Sequence, residues 1–536
     1  MSGKIINHGL DTQAKMIEGV VRTANAIETT LGPAGKCVAI NSGFGVPEIT
    51  RDGATVAKSI TFSDPVVNMG AELVKKASQR TEEQAGDSTS TCSILTREFC
   101  TRGRRSLNTG RNVYELKSGM GKAMNWVKNY IKTNTIQVDG DFEKIRKVAT
   151  ISANNDSSIG NLVVECMEKV GVNGVITAEV SSGLETTIDI TTGMKLERGW
   201  CSPQYITEAA EGKCVMENPY IVVVGEKISS VAQLINVLEA LQPTGRPFLL
   251  ICDDIDEIVN TTLLYNVSIG AVRCCVVKGI DFGDNRKNTM ADIAVACGAS
   301  FLCPEEKTTL ANVTLEDLGM AKKVVISRDN TIIYEGAGDP SVVSARAEIL
   351  KARLADPTIS DYDKKKFEKR LANLAGGIGI IKAGGASEAE VMNLKATIED
   401  SILASKSAIE EGCVPGGGYM YYKASLDIKK DKAFWKSLSG DEVEGADIVV
   451  SSLSCILRTI ANNSGISGDI VLEELKKSKK ESWGYNAKTK KYGDLISEGI
   501  LDSAKAIRVA LENSISAAAM ILLTDCTIVD EPEEKK

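Results

Sequence analysis

Between Ala85 and Thr91 the chain reads Ala-Gly-Asp-Ser-Thr-Ser-Thr. Small residues and hydroxyls entering a helix leave backbone N–H groups and side-chain oxygens free to cradle a phosphate. Asp87 at the head of this run offers the hard oxygen ligand that Mg²⁺ prefers. The same residues also suit an ordinary N-cap, in which Ser or Thr closes the first turn, so the segment alone leaves both readings open. Thr30-Leu-Gly-Pro33 has the same character, and Gly416-Gly-Gly418 lets backbone come close to a neighbouring helix or a nucleotide. Two further carboxylates, Asp52 and Asp400, read by themselves as surface or cap residues. No G-x-x-x-x-G-K-[ST] run occurs, and Gly32-Pro-Ala-Gly-Lys36 lacks both its spacing and its hydroxyl. Nucleotide chemistry here would not be of the P-loop kind.

The elements that must position these residues come from a chain of 536 residues, too long for one core and suited to about three domains. Hydrophobic residues at 43% and charged residues at 25% are ordinary for a soluble globular protein. A formal charge of −8 argues against a nucleic-acid binder, which would show a basic face. A single histidine, His8, excludes a His-dependent triad or a multi-His metal site. The 14 cysteines show no C-x-x-C and read as reduced, mostly buried thiols rather than zinc ligands. No apolar run approaches the roughly 20 residues that span a bilayer, and the N-terminus shows no h-region or transit stretch. The expectation is a cytoplasmic protein with no membrane or nucleic-acid partner.

Met16, Val20, Ala24 and Ile27 recur at helical spacing until Leu31-Gly32-Pro33 stops them. Val38–Ile40 and residues 47–50 read as a hairpin turning at Gly43 and Gly45. Helical patterns cover 65–80, follow Asp87 through Leu95 and Phe99 to about 135, and return over about 400–475. The middle alternates β-rich runs (188–191, 220–224, 247–252 and Cys274–Lys278) with helical patterns at 230–241 and 256–268, which predicts an α/β domain. Residues 338–377 read as a helical hairpin broken at Asp356-Pro357, and the charged end from Asp530 reads as disordered. Gly193 and Gly376-Gly377 flank the α/β block and suit either hinges or turns.

Several segments then fall in an order that resembles the group I (GroEL-type) chaperonin family. They are Thr29-Thr-Leu-Gly-Pro-Ala-Gly35, Ile49-Thr-Arg-Asp-Gly53, Asn68-Met-Gly-Ala71, the 85–91 loop and Thr150-Ile-Ser-Ala-Asn154. Phe282-Gly-Asp-Asn-Arg-Lys287, Thr314-Leu-Glu-Asp-Leu-Gly319, Glu411-Gly412 with Gly416–Gly418, Tyr485-Asn-Ala487 and Gly499-Ile-Leu-Asp502 complete the series. The resemblance runs from about residue 10 to 530.

It implies a multidomain α+β and α/β protein with the chaperonin fold. Residues 1–135 and 411–536 would form a largely helical equatorial ATP-binding domain. Residues 136–192 and 377–410 would form a hinge-like intermediate domain, and 193–376 an α/β apical polypeptide-binding domain. The implied activity is ATP hydrolysis coupled to protein folding, with ATP, Mg²⁺ and K⁺ as cofactors. The implied partners are non-native polypeptides and a homo-oligomeric assembly of one or two rings, each of about seven subunits, with room for a co-chaperonin lid as a further partner. By resemblance the nucleotide lies against Thr30, Leu31, Gly32 and Pro33, with phosphates on Asp87, Ser88, Thr89, Ser90 and Thr91. Arg51, Ile151, Ser152, Gly417, Tyr485, Asn486, Ala487 and Asp502 complete that site, and Asp87 is the metal ligand. Asp52 and Asp400 are the implied catalytic carboxylates, Asp400 arriving as the intermediate domain closes. Trp200, Tyr205, Ile235, Leu238, Leu264 and Tyr265 are the implied client groove; Val231, Leu234, Ile235 and Leu238 share a stripe that by itself reads as ordinary core.

The chain also departs from that pattern. Ser88 stands where glycine is usual and Arg51 where lysine is, while Gln204 and Asn260 replace apolar groove positions. Residues 462–467 lack the acidic partner of a ring–ring ion pair, although Arg458 remains. These differences mark a divergent member, as one from a virus or from another fast-evolving lineage would be. They motivate a second reading, a ring-forming holdase or scaffold with little ATPase activity.

Overall fold

The computed structural model describes residues 4–41, 47–138, 140–153, 155–171, 174–181, 183–209, 211–279, 284–304, 309–354, 363, 366–367, 370–371, 373–374, 376–478 and 480–530. The turn at Gly43 and Gly45, the start of the 282–287 motif, the break at Asp356-Pro357 and the charged end beyond Asp530 lie outside the described residues. Contacts divide the chain into two compact units. One holds Met1–Glu165, Ala178–Thr187 and Lys382–Lys536; the other holds Cys166–Thr177 and Ile188–Ile381.

The first unit is mainly helical. The spacing read near the N-terminus forms the helix Gly9–Glu28, which buries Met16, Val20, Ala24 and Ile27. It crosses the helix Pro65–Ala85 where Gly19 meets the Val67 carbonyl and Gly70 meets that of Met16. A Cβ at either glycine would strike backbone, which gives the Asn68–Ala71 segment a packing reason. Asp64 opens the second helix by accepting from Val66 N at 2.8 Å, with Pro65 in the first turn where its missing N–H does no harm. Helices Val113–Thr133 and Glu442–Ser452 meet in the same way through Gly119 and Gly445. Through this core runs Ala504–Leu523, with Ala510, Leu511, Ala518 and Ile521 fully buried. This helix is long and apolar enough by length and composition to cross a membrane, which corrects the expectation that no such run exists. Two-thirds of its apolar window (67%) is packed inside the protein. The chain ends pair as antiparallel strands, Lys4–His8 with Cys526–Asp530.

The second unit is α/β, as the alternation of patterns predicts. Tyr220–Ile228, Phe248–Ile255 and Cys274–Lys278 form a parallel set, with Phe301–Leu302 joining the first strand on its other side. Ile221 to Val224 and Leu249 to Cys252 are essentially inaccessible, as continuous apolar runs in parallel strands require. Gly319–Ile326 continues the sheet antiparallel and pairs with Thr331–Gly336, which pairs with Thr187–Leu196. The pattern at 230–241 is shorter than read: Val231–Leu234 is a 3₁₀ turn, and the α-helix runs only over Ile235–Leu241. Gly193 sits inside the strand Thr187–Leu196, where a Cβ would meet Ile378 and the Ile333 carbonyl. Close approach therefore gives this glycine a structural reason of its own. Two arginines close on one buried carboxylate in this unit: Arg346 and Arg370 both donate to Asp292.

Candidate active site

Within the first unit a cavity of about 430 Å³ gathers residues from nine separate stretches of sequence. The first follows the helix Gly9–Glu28. Gly32 takes φ +84°, and Lys36 N closes the turn on Thr29 O at 2.8 Å. Asn463 pins this loop by donating to the carbonyls of Glu28 (2.8 Å) and Leu31 (2.9 Å). Thr30, Leu31, Gly32 and Pro33 thereby line the cavity.

The second stretch is the hydroxyl-rich loop. Gly86 and Ser88 both adopt left-handed backbone, φ +70° and +68°, on either side of Asp87, and the helix Thr89–Asn108 begins directly after. Gly86 is required there because a Cβ would strike Leu403. The loop presents the hydroxyls of Ser88, Thr89, Ser90 and Thr91 to the cavity, and none of the four makes a hydrogen bond among the described residues. Four unengaged hydroxyls at a helix N-terminus are what a phosphate chain would satisfy.

Asp52 shows that the cap and site placements coexist. It is the N-cap of the helix Gly53–Ser59, accepting from Thr55 N at 2.7 Å, Thr55 Oγ1 at 2.6 Å and Ala54 N at 3.2 Å. It also lines the cavity. Beside it the Arg51 guanidinium donates to the Gly32 carbonyl and ties two of the loops together. Asp400 reaches the same cavity from the long helix Glu388–Glu411, and Ile151 and Ser152 come from the end of Phe142–Ser152.

The far end is less polar. Gly417 N donates to the Asp502 carboxylate at 3.1 Å, and the Tyr485 hydroxyl meets Ser464 Oγ at 2.9 Å. Asn486 and Ala487 continue this wall, and Ile456, Ile460 and Ile500 supply its apolar surface. All nineteen nucleotide and catalytic residues named from the resemblance thus line one cavity. The resemblance did not name the three isoleucines, Asn155, Thr397 or Lys488 as site residues, although Ile500 lies within the Gly499–Asp502 segment.

The electrostatics are one-sided. Burial pushes Asp400 well above the usual carboxylate range, and the charges of Asp52, Asp87, Glu82 and Glu399 push it the same way. Burial also raises Asp87, opposed by the Ser88 N–H and the nearby Ser152 hydroxyl. Asp502 is raised to about 7, first by burial and then by the charge of Asp87. A crowd of half-buried carboxylates lowers its energy by binding a cation or a proton.

Two further atoms bear on what fits here. Ser152 Oγ and Arg51 Nε are both buried without a well-aligned partner, and both residues line this cavity. The donor set is oxygen only (carboxylate, hydroxyl and carbonyl), which suits Mg²⁺ rather than a soft metal. No three His, Cys, Asp or Glu side chains form a metal cage among the described residues, so a cation here would complete its shell with phosphate and water.

The six groove candidates, all in the second unit, divide. Ile235 and Tyr265 are exposed (44% and 65%), while Leu238, Leu264 and Trp200 are half-buried against the core. Tyr205 does not line an open groove, a correction to the expectation. It is 2% exposed, and its hydroxyl donates to Asn260 Oδ1 at 2.8 Å, so it belongs to the core. Ile258, at 80% exposure, and Ile269, at 59%, extend the apolar strip of the helix Glu257–Ser268 and its end, and were not foreseen.

Comparison with known proteins agrees with this architecture. The fold is similar to that of the chaperonin gp146 from the bacteriophage EL 2 (Pseudomonas aeruginosa), crystallised in the presence of ATP-BeFx. Its crystal form II gives a TM-score of 0.76 at 21% identity, covering 98% of this chain and 100% of that one. Crystal form I gives 0.66 at 21% identity, covering 98% and 99%. Residues 23–532 match the model of the TCP-1/cpn60 chaperonin family, and the chain belongs to that family.

Proposed function

We propose that this chaperonin hydrolyses ATP in the first unit's cavity and uses the cycle to bind and release non-native polypeptides on the second. The observation that carries the reading is the convergence of unengaged hydroxyls and mutually repelling carboxylates on one cavity with an apolar far wall. A triphosphate fits the first end and a base the second. The gp146 relative crystallised with an ATP mimic supports the choice of nucleotide.

In this reading the 88–91 hydroxyls and the N-terminus of their helix hold the phosphates, and Asp87 holds Mg²⁺. The metal would supply charge neutralisation on the phosphate oxygens. Asp52, fixed by its capping bonds, orients the terminal phosphate's surroundings. Asp400, raised by burial and its neighbours, accepts the proton of the attacking water. Arg51 keeps the Thr30–Pro33 loop closed over the nucleotide. Residues 136–192 and 377–410 act as the intermediate domain that brings Asp400 to its place, and K⁺ joins the phosphate end. The subunits assemble in rings in the cytoplasm, and the exposed strip of Ile235, Ile258 and Tyr265 takes clients by apolar contact.

Steady-state turnover of Asp400→Ala tests the assignment. Hydrolysis falls by about 10² or more while nucleotide affinity stays within a few-fold; normal turnover removes Asp400 from its role. The second reading, a holdase with little hydrolysis, is favoured by the left-handed Ser88 in the phosphate loop. Absence of Mg²⁺-dependent turnover in the unaltered protein would select it.

A further inference from the structure

Cys201, Cys214, Cys252, Cys274 and Cys275 gather in the second unit, within electrostatic reach of one another. Backbone pairing draws them together. Cys214 opens the strand Cys214–Glu217 and stands opposite Ile326. Trp200 N donates to the carbonyl of the next residue, Ser327, at 3.2 Å, and Trp200 also bridges to Val277. Cys201 N donates to Val276 O at 3.0 Å, so residues 200–201 tie the end of Gly319–Ile326 to the strand Cys274–Lys278. Across this junction the Cys214 and Cys275 thiols meet as hydrogen-bonded neighbours, both buried. The cluster forms no metal cage among the described residues.

A buried thiol is ordinarily a small apolar core group, and burial duly raises Cys252, Cys274, Cys297 and Cys455. Cys214 differs. The Cys275 thiol beside it holds it below the usual thiol range against the effect of burial, and the Thr207 hydroxyl acts the same way. The thiolate is the reactive form. The exposed residues 207–209 and Glu211 lead directly into Cys214, so a local opening of this short stretch uncovers it while the parallel strands stay folded. We propose that Cys214 and Cys275 are a redox pair that hydrogen peroxide closes into a disulfide. The Cys214 sulfur attacks one peroxide oxygen, the O–O bond breaks, and one water leaves a sulfenic acid on Cys214. The Cys275 sulfur then attacks the Cys214 sulfur, the S–O bond breaks, and a second water leaves as the S–S bond forms. Two thiols thus lose two electrons and one peroxide is reduced to two waters; a thiol reductant reverses the change. The bond closes the long loop between residues 214 and 275, which carries Ile235, Ile258 and Tyr265 of the exposed apolar strip. Cross-linking so long a loop restricts the unfolded chain and stabilises the unit that bears the strip.

The test treats the full-length, unaltered protein with hydrogen peroxide, blocks the remaining thiols by alkylation in denaturant, and maps peptides by mass spectrometry without reductant. A peptide pair linked through Cys214 and Cys275 is expected, and it should disappear after a thiol reductant. The melting temperature should rise by several degrees with peroxide and return with reductant. Cys275→Ala should abolish both the linked pair and the peroxide-dependent rise, whereas Cys274→Ala, at the neighbouring buried thiol, should keep both. Recovery of Cys214 and Cys275 fully alkylated after peroxide overturns the proposal, as does a link from Cys214 to Cys201, Cys252 or Cys274 instead. A rise in melting temperature that survives Cys275→Ala overturns the stabilising role. If Cys275→Ala does not fold, the peptide map of the unaltered protein alone decides.

Discussion

Asp400, half-buried at the cavity wall of the first unit, and Asp292, buried in the second, are both enclosed carboxylates, yet their surroundings are opposite. Asp292, with 5% of its side chain exposed, accepts from Arg346 Nε at 2.8 Å and from Arg370 Nε and Nη2 at 2.6 and 3.0 Å. Asp400 has no hydrogen-bond donor or cation among the described residues, and its neighbours are Asp52, Asp87, Glu82 and Glu399. Asp292 is electrostatically complete and holds helices together. Asp400 is incomplete, a condition that folding alone would not select, and so it reads as chemistry. The same division runs through the hydroxyls. Ser78 and Ser93 in the core pair with each other at 2.7 Å, while the side-chain hydroxyls of residues 88–91 at the cavity wall make no hydrogen bond among the described residues.

Substitutions can sharpen this contrast. The largest effect should come at Asp52, whose two placements make different predictions. Asparagine is as good an N-cap as aspartate, so Asp52→Asn should keep the helix Gly53–Ser59 yet lower turnover by about 10²-fold. If only the cap matters, Asp52→Asn will turn over normally and Asp52→Ala alone will lose about 1 kcal/mol of stability. Denaturant melts and turnover on both variants decide between these outcomes.

Asp292→Ala should break the contrast from the other side. Leaving Arg370 buried and unpaired destabilises the protein by about 3–5 kcal/mol, with no direct effect on nucleotide affinity in the molecules that remain folded. Unfolding followed by circular dichroism, with calorimetry on the folded fraction, measures both.

Asp502 gives a pH-dependent prediction. Its folded pKa is raised from 3.8 to about 7, so the folded state holds the proton more tightly, and this group's contribution to stability falls as pH rises between those values. Asp502→Asn should therefore raise the melting temperature of the nucleotide-free protein at pH 8. The gain should shrink as pH drops towards 3.8. A gain that is equal at pH 4.5 and pH 8 would contradict burial of a charge as its cause.

The smallest effect belongs to the client strip. Ile258→Ser with Tyr265→Ser should weaken capture of an unfolded test protein by several-fold and leave ATP turnover unchanged, because both side chains are already solvent-facing. Unchanged capture would move the client site elsewhere.

Much of the first unit's chemistry was legible in the sequence because it lies in short contiguous loops. The 85–91 run, Thr30–Pro33 and Gly416–Gly418 carry their backbone requirements in adjacent residues. The carboxylates Asp52 and Asp400 were not legible alone; one is a true cap, and only the family's order of motifs singled them out. The apolar far wall escaped notice because Ile456, Ile460 and Ile500 are ordinary helix and loop residues until distant segments fold against them. Tyr205 was misplaced for a related reason. Sequence shows that a residue is apolar but not which side of the sheet's cover it faces, and the Asn260 hydrogen bond that holds it inward lies 55 residues away. The membrane-length helix Ala504–Leu523 was missed because scattered polar residues such as Ser514 hide an apolar stretch that the core accommodates.

In the proposed function, unsatisfied oxygens at one cavity wall act on a phosphate. The most direct test is ATP turnover by the unaltered protein with Mg²⁺ and then with the metal chelated, beside a parallel measurement of nucleotide binding. Hydrolysis that requires Mg²⁺ and saturates with the binding curve is the predicted result. Tight binding with no hydrolysis above background, with or without metal, would contradict it.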